Sequence, residues 1–199
     1  MVGSGEMTGD STRCVHSSLD PEITTGSVHT PIFQTSTYVQ KDFADHLGYE
    51  YARGDNPTRN ALQRALAEME SPHQEAYGFC FGSGMAAITT ISQMLKQGDH
   101  VIACDDLYGG TVRLFDQIAS RFGIETSYSP LQSGDLGKLV RDNSKILWLE
   151  SPTNPLLTVH DIKSLAAEAK EHGLLVVVDS TFATPILQRP FELGADIIV

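Results

Sequence analysis

Four apolar segments of this chain each run into small, polar or acidic residues able to do chemistry. AYGFCF (76–81) is followed by Gly82-Ser83-Gly84-Met85 and HVIAC (100–104) by Asp105-Asp106-Leu107-Tyr108. KILWLE (145–150) is followed by Ser151-Pro152-Thr153-Asn154-Pro155, and LLVVV (174–178) by Asp179-Ser180-Thr181. In parallel α/β sheets, ligands bind at the carboxyl ends of the strands. One such end would mean little; four predict a shared crevice. Ser83-Gly84-Met85 opens a helix, where free N–H groups and the positive end of the dipole attract an anion and glycine allows close approach. The plain alternative is a tight turn. Asp179 closes a valine run, where an acid is costly unless it meets a cation or strong donors. A protonated ring nitrogen is such a cation; the alternative is a strand-end aspartate that caps a loop. Tyr108, beside Gly109-Gly110, could stack on a flat ligand and move protons, or be an ordinary surface tyrosine. Asn154, set between Pro152 and Pro155, could offer its amide to a ring oxygen, or serve only the turn.

The elements that would position these groups alternate along the chain. Strands are predicted over 76–81, 100–104, 124–129, 145–150, 174–179 and 195–199. Helices are predicted over 82–96, 111–122, 136–142 and 161–173. Strands alternating with helices, several of them apolar throughout, imply an α/β domain with a mostly parallel sheet covered on both faces. Residues 1–50 are polar and show no helical period. They read as an extended N-terminal arm, disordered over its first dozen residues, ahead of a domain spanning 51–199. Asn56-Pro57 is an N-cap followed by proline at the first helical position. Leu62, Leu66 and Met69 then fall on one helical face. The sequence stops inside an apolar strand, which reads as part of a longer protein.

Bulk properties narrow the classes. With 14 basic and 25 acidic residues the net charge is −11, which argues against nucleic acid and anionic membrane surfaces as partners. The first residues, MVGSGEMTGDSTR, have no apolar core and so form no signal peptide. No apolar run approaches the length of a membrane span. Three widely spaced cysteines give neither a disulfide framework nor a zinc pattern, and a reducing cytoplasm suits them. Cys80 and Cys104 lie in apolar runs and read as packing residues. The histidines form no HExxH pair, so no metal site is expected.

One rival competes for the glycine turn. Gly82-Ser83-Gly84-Met85-Ala86-Ala87 fits G-x-G-x-x-A, and Asp105 ends the next strand roughly 20 residues on. That pattern would make the chain an NAD-dependent oxidoreductase. A decayed, non-catalytic scaffold is a third reading. The dinucleotide reading leaves Asp179, Asn154 and one further motif without a role.

That motif is Tyr51-Ala52-Arg53-Gly54-Asp55-Asn56-Pro57-Thr58. It resembles the Y-[SA]-R-x-x-N-P-T signature of the pyridoxal-phosphate (PLP) enzymes of cysteine and methionine metabolism. The likeness continues through FGSGMAA, GDHVIACDDLYGGT, WLESPTNP, VVVDSTFATP and LQRPFELGAD. The resemblance implies an aspartate-aminotransferase-like (fold type I) large domain and a homotetramer built from active dimers. It implies that Tyr51 and Arg53 bind the phosphate of a neighbouring subunit's PLP. Ser83, Gly84 and Met85 would hold the phosphate, and Tyr108 would stack on the ring and help in proton transfer. Asn154 would approach the ring hydroxyl oxygen, Asp179 would pair with the pyridinium, Thr181 would lie beside the ring, and Arg113 would lie near the substrate. The family's Schiff-base lysine sits in an S-x-T-K motif expected a few residues beyond Val199, and the family's C-terminal domain would follow. The implied reaction is γ-elimination of cystathionine or a related sulfur amino acid. The γ-replacement reactions of cystathionine γ-synthase and homoserine-ester sulfhydrylases remain the alternatives. Tyr108-Gly109-Gly110 looks more like the cystathionine-processing branch than the methionine γ-lyase branch.

Overall fold

The computed structural model describes residues 9–17, 20–43, 45–132 and 134–199. The chain divides into two compact units, one ending at Cys80 and one beginning at Phe81.

In the first unit, helix α1 (Asp10–His16) replaces part of the expected disorder. Residues 1–8, the rest of that expectation, lie outside the described residues. The helix has no apolar period to betray it. Its charges supply the reason instead: Asp10 sits in the first turn, Arg13 and His16 in the last, and Arg13 pairs with Asp10 at 3.1 Å. Two short exposed strands, β1 (Gln40–Asp42) and β2 (Asp45–His46), pair antiparallel. Helix α2 (Pro57–Glu70) starts as the sequence predicts. The Asn56 side chain accepts from the N–H groups of Thr58 and Arg59, and Pro57 fills the first turn. Its apolar face is not covered, however. Leu62 and Leu66 are exposed, and no residue of the helix is fully buried.

The arm before α2 is strapped to its start. Thr58 donates its hydroxyl to the Pro31 carbonyl and accepts from the Phe33 N–H, each at 2.9 Å. The Asn56 amide donates to the Phe33 carbonyl at 3.0 Å. No strand forms over 76–81. A strand needs a neighbour to complete its ladder, and this segment turns to α2 instead. The Cys80 N–H donates to Gln63 Oε1 at 3.0 Å. A Cβ on Gly78 would lie 2.2 Å from the Gln63 carbonyl oxygen. Tyr77 and Phe79 project exposed from this segment.

The second unit is a parallel sheet of β3 (His100–Cys104), β4 (Glu125–Ser129), β5 (Ser144–Glu150), β6 (Leu175–Asp179) and β7 (Ile197–Ile198), in the order β4-β3-β5-β6-β7. The interior strands β3, β5 and β6 are mostly apolar because both of their faces are covered. Val101, Ile102, Leu147, Trp148, Val176 and Val177 are fully inaccessible to solvent. Helix α3 (Gly84–Ser92) ends before the predicted limit at 96. Helix α5 (Ile162–Glu171) covers the sheet with Ile162, Leu165, Ala166 and Ala169, the spacing of one helical face.

The predicted helix over 111–122 exists but changes pitch. Helix α4 (Gly109–Arg113) widens into a π turn over Leu114–Ile118 and tightens to a 3₁₀ turn over Ala119–Phe122, before left-handed Gly123. Buried Phe115 meets Trp148 edge-on at 5.4 Å inside that wider turn. Of the helix predicted over 136–142, only a 3₁₀ turn at Leu136–Lys138 forms, with Leu136 as its buried anchor. Helix α6 (Thr184–Leu187) links the end of β6 towards β7.

Candidate active site

The carboxyl ends of β3, β5 and β6, with the start of α3, surround a cavity of about 310 Å³. That is the lower end of the usual size for a small-ligand pocket, about 300–1,000 Å³. Ser83, Gly84, Met85, Tyr108, Asn154, Asp179 and Thr181 all line it. Seven residues chosen from sequence therefore meet on one wall of one domain.

The start of α3 supplies donors. Ser83 is the N-cap, and its hydroxyl oxygen accepts from the Ala86 N–H at 3.2 Å. The N–H groups of Gly84 and Met85 belong to the first turn, where the helix itself offers no acceptor. Nothing among the described residues takes their place. Nothing within 4 Å would meet a Cβ on Gly84 either, so the approach to those donors is open.

Two carboxylates stand side by side across the cavity floor. Glu150 and Asp179 are register partners at the ends of β5 and β6, and both are buried. They are satisfied unequally. Glu150 Oε2 accepts from the Tyr108 N–H at 2.8 Å, and Oε1 accepts from the Asn154 N–H at 2.7 Å. Asp179 Oδ1 accepts from the Thr181 N–H at 3.1 Å, while Oδ2 has no partner among the described residues. Burial pushes the Glu150 carboxyl above its ordinary range, the two N–H donors oppose this, and the neighbouring Asp179 charge adds to it. Asp179 is thus the acid with an oxygen left for a cation.

The loops between are braced from behind. Asp106 Oδ2 accepts from the Thr153 hydroxyl and, at 3.2 Å, from the Leu156 N–H. The Gln188 amide joins the ends of β5 and β6, donating to the Ser151 carbonyl at 2.8 Å and the Ser180 hydroxyl at 3.1 Å. Cys104 is buried at the end of β3 and takes the Glu150 N–H on its sulfur at 3.3 Å. Burial pushes its thiol up to about 12, and its full burial matches its sequence reading as a packing residue. The Tyr108 ring rests against Gly110, where a Cβ would come within 2.4 Å of ring carbon Cε1.

Sequence reasoning passed over Glu150, although the signal was present. An acid that closes an apolar strand carries the same cost as Asp179. Arg113 is placed differently from the other chosen residues. It is partly exposed and its guanidinium lies over Gly109, but it does not line the cavity. Tyr51 and Arg53 belong to the first unit. Tyr51 bridges Thr37 in antiparallel fashion, and the Arg53 guanidinium lies 5.0 Å from the Tyr51 ring centroid. Arg59 holds their turn by donating to the carbonyls of Ala52 at 3.1 Å and Gly54 at 2.6 Å. The rival dinucleotide fingerprint lacks its structural context, because no strand leads into Gly82. Among the described residues no cluster of ligands suited to a metal ion occurs, and no helix is long and apolar enough to cross a membrane.

Fold and site together define an α/β domain with open helix-start N–H groups, two buried carboxylates and a tyrosine ring around one cavity at its strand ends. Residues 11–199 match the family of Cys/Met metabolism PLP-dependent enzymes, and the chain belongs to that family. It is 46% identical over 192 residues to a probable cystathionine γ-synthase of Herpetosiphon aurantiacus, covering 96% of this chain and 59% of that protein. It is 47% identical over 190 residues to a cystathionine β-lyase of Coxiella burnetii, covering 94% of this chain and 48% of that one. Among solved structures, a cystathionine γ-lyase of Lactobacillus plantarum, complexed with L-serine, superposes with a TM-score of 0.87 at 38% identity. That match covers 96% of this chain and 49% of the other. The chain spans about half the length of most of these relatives. The family's cofactor is pyridoxal phosphate, and the cavity fits it. Open N–H donors suit a phosphate, a carboxylate with a free oxygen suits a pyridinium, and a tyrosine ring suits a flat heterocycle.

Proposed function

We propose that the full-length protein uses pyridoxal phosphate to cleave the Cγ–S bond of cystathionine or a related sulfur amino acid. With water consumed, cystathionine would give cysteine, 2-oxobutyrate and ammonia. When bound, the cofactor supplies an electron sink for the electrons left at the substrate Cα. The chain's own residues do the rest. The N–H groups of Gly84 and Met85, with Ser83, hold the phosphate at the start of α3. Asp179 keeps the ring nitrogen protonated. Asn154 offers its amide to the ring oxygen, and Thr181 borders the ring. Tyr108 stacks on the ring and moves a proton at its phenol oxygen. Arg113, partly exposed and outside the cavity lining, would lie near the substrate. Tyr51 and Arg53 would bind the phosphate of a neighbouring subunit's cofactor, in active dimers paired as a homotetramer. A reducing cytoplasm suits the chain's free thiols.

The observation that carries this reading is the convergence of Gly84, Met85, Tyr108, Asn154, Asp179 and Thr181 on one cavity. The relatives' names include γ-lyase, β-lyase and γ-synthase, so the bond cleaved is the finer part of the proposal. Product analysis of the full-length enzyme with L-cystathionine tests it. Cysteine with 2-oxobutyrate is expected. Homocysteine with pyruvate would move the reaction to β-elimination. Formation of cystathionine from an O-acylhomoserine and cysteine, without cleavage, would move it to γ-replacement.

A further inference from the structure

The geometry points to Glu150 as the positioning residue of this site: a carboxylate that clamps the loops carrying Tyr108 and Asn154 onto the end of β5. The inference rests on the reading of the cavity as a cofactor site and adds a residue to it.

Three observations carry it. Glu150 lines the cavity but spends both its oxygens inward, on the N–H groups of Tyr108 and Asn154 at 2.8 and 2.7 Å. Those two residues lie 42 and 4 positions away in sequence, on different loops. One side chain therefore fixes the spacing of the ring that walls the cavity and the amide that reaches into it. Both bonds go to backbone N–H groups, so the clamp sets where the two loops run whatever their side chains do. Finally, Glu150 is itself held, since its own N–H bonds to the buried Cys104 sulfur and it sits in register with Asp179. Each Glu150 oxygen is engaged by one loop N–H, whereas Oδ2 of its neighbour Asp179 has no partner among the described residues. The two acids thus divide the work, Glu150 holding the loops and Asp179 facing the ligand.

Hydrogen bonds to a charged acceptor are among the stronger ones. Glu150→Gln keeps the shape but turns an amide NH₂ towards one of the two N–H donors, so at least one loop loses its anchor. Glu150→Asp keeps the charge but is one methylene too short to reach both.

Residue-resolved hydrogen exchange on the full-length protein, stripped of cofactor, tests the clamp without relying on activity. In wild type, the amides of Tyr108 and Asn154 should exchange slowly despite lying in loops. In Glu150→Gln at least one should exchange about tenfold faster or more, while amides of β5 and β6 keep their protection. Reloaded with pyridoxal phosphate, the variant should bind it but show several-fold weaker induced circular dichroism in the cofactor band, because ring and amide no longer orient it. A purely structural residue would shift thermal unfolding and leave that signature intact. Unprotected Tyr108 and Asn154 amides in wild type, or unchanged protection in Glu150→Gln, would overturn the inference. Should Glu150→Gln not fold, Glu150→Asp and the wild-type amides still decide. A protein that never binds pyridoxal phosphate would sink the reading of the cavity, while the exchange data would still judge the clamp.

Discussion

Asp179→Asn separates charge from shape at the point where the site makes its sharpest demand. Asparagine is isosteric, and its amide oxygen can still accept from the Thr181 N–H, now at 3.1 Å from Oδ1. The Ser151 N–H bonds to the backbone carbonyl of residue 179 at 3.0 Å and is untouched. The substitution also removes a like charge beside the buried Glu150. Folding should therefore survive, with thermal stability unchanged or slightly raised. The loss falls on the bond between the free Oδ2 and a ring cation. A hydrogen bond between charged groups is worth about 1.5–3 kcal/mol. At about 1.4 kcal/mol per factor of ten, cofactor retention should weaken roughly ten- to over a hundred-fold. Turnover should fall further, because the ring nitrogen loses the partner that keeps it protonated. The assay is a cofactor titration of the stripped full-length protein by absorbance, with turnover measured at saturating cofactor. Wild-type affinity together with near-normal turnover would refute the assignment of Asp179 to the ring nitrogen.

Other consequences follow from the same structure. Leu165 is fully buried between α5 and the sheet, so Leu165→Ala should cost about 2–5 kcal/mol in denaturant unfolding of the full-length protein. His100 is buried between the hydroxyls of Ser144 and Ser127 at 2.8 and 2.9 Å. Burial, with help from Arg141 and against Glu125, holds its pKa below the ordinary 6.5. A base held neutral by the fold takes up protons more readily when unfolded. Its contribution is therefore complete above pH 6.5 and declines as pH falls below it, through the lowered folded value. His100→Gln should flatten that acid-side decline, measured as unfolding midpoint against pH. Arg53, stacked on Tyr51, is proposed to serve a neighbouring subunit. Arg53→Ala should weaken cofactor retention, and mixing it with a variant lacking the Schiff-base lysine should restore some activity. No rescue after proven subunit exchange would count against that crossing.

Three strands of the second unit were legible because they are buried on both faces. HVIAC, KILWLE and LLVVVD announce themselves as unbroken apolar runs, and the polar residues after them fall at one end of the sheet. Helix α5 is legible through the spacing of Ile162, Leu165, Ala166 and Ala169. What was misread depends on partners or on charge. AYGFCF has the composition of a strand, but its ladder needs a neighbour, and Gly78 and Cys80 lean on α2 instead. The helix at Asp10–His16 rests on charge placement, which carries no apolar period. The pitch changes after Arg113 accompany the packing of Phe115 against Trp148, a tertiary contact invisible in local sequence. In the site, Asp179 was found by the cost of an acid at the end of a valine run. Glu150 carries the same signal, and only the distances to Tyr108 and Asn154 reveal what answers it. Arg113 was chosen by resemblance alone, and the structure leaves it outside the cavity wall.

The central claim is that this cavity belongs to a pyridoxal-phosphate enzyme. Borohydride treatment of the full-length protein as purified, followed by absorbance and intact mass, tests it most directly. The account predicts a yellow protein whose visible band disappears on reduction, leaving a phosphopyridoxyl group covalently attached to a lysine. A colourless protein that gains no such mass and instead binds NADH would contradict it.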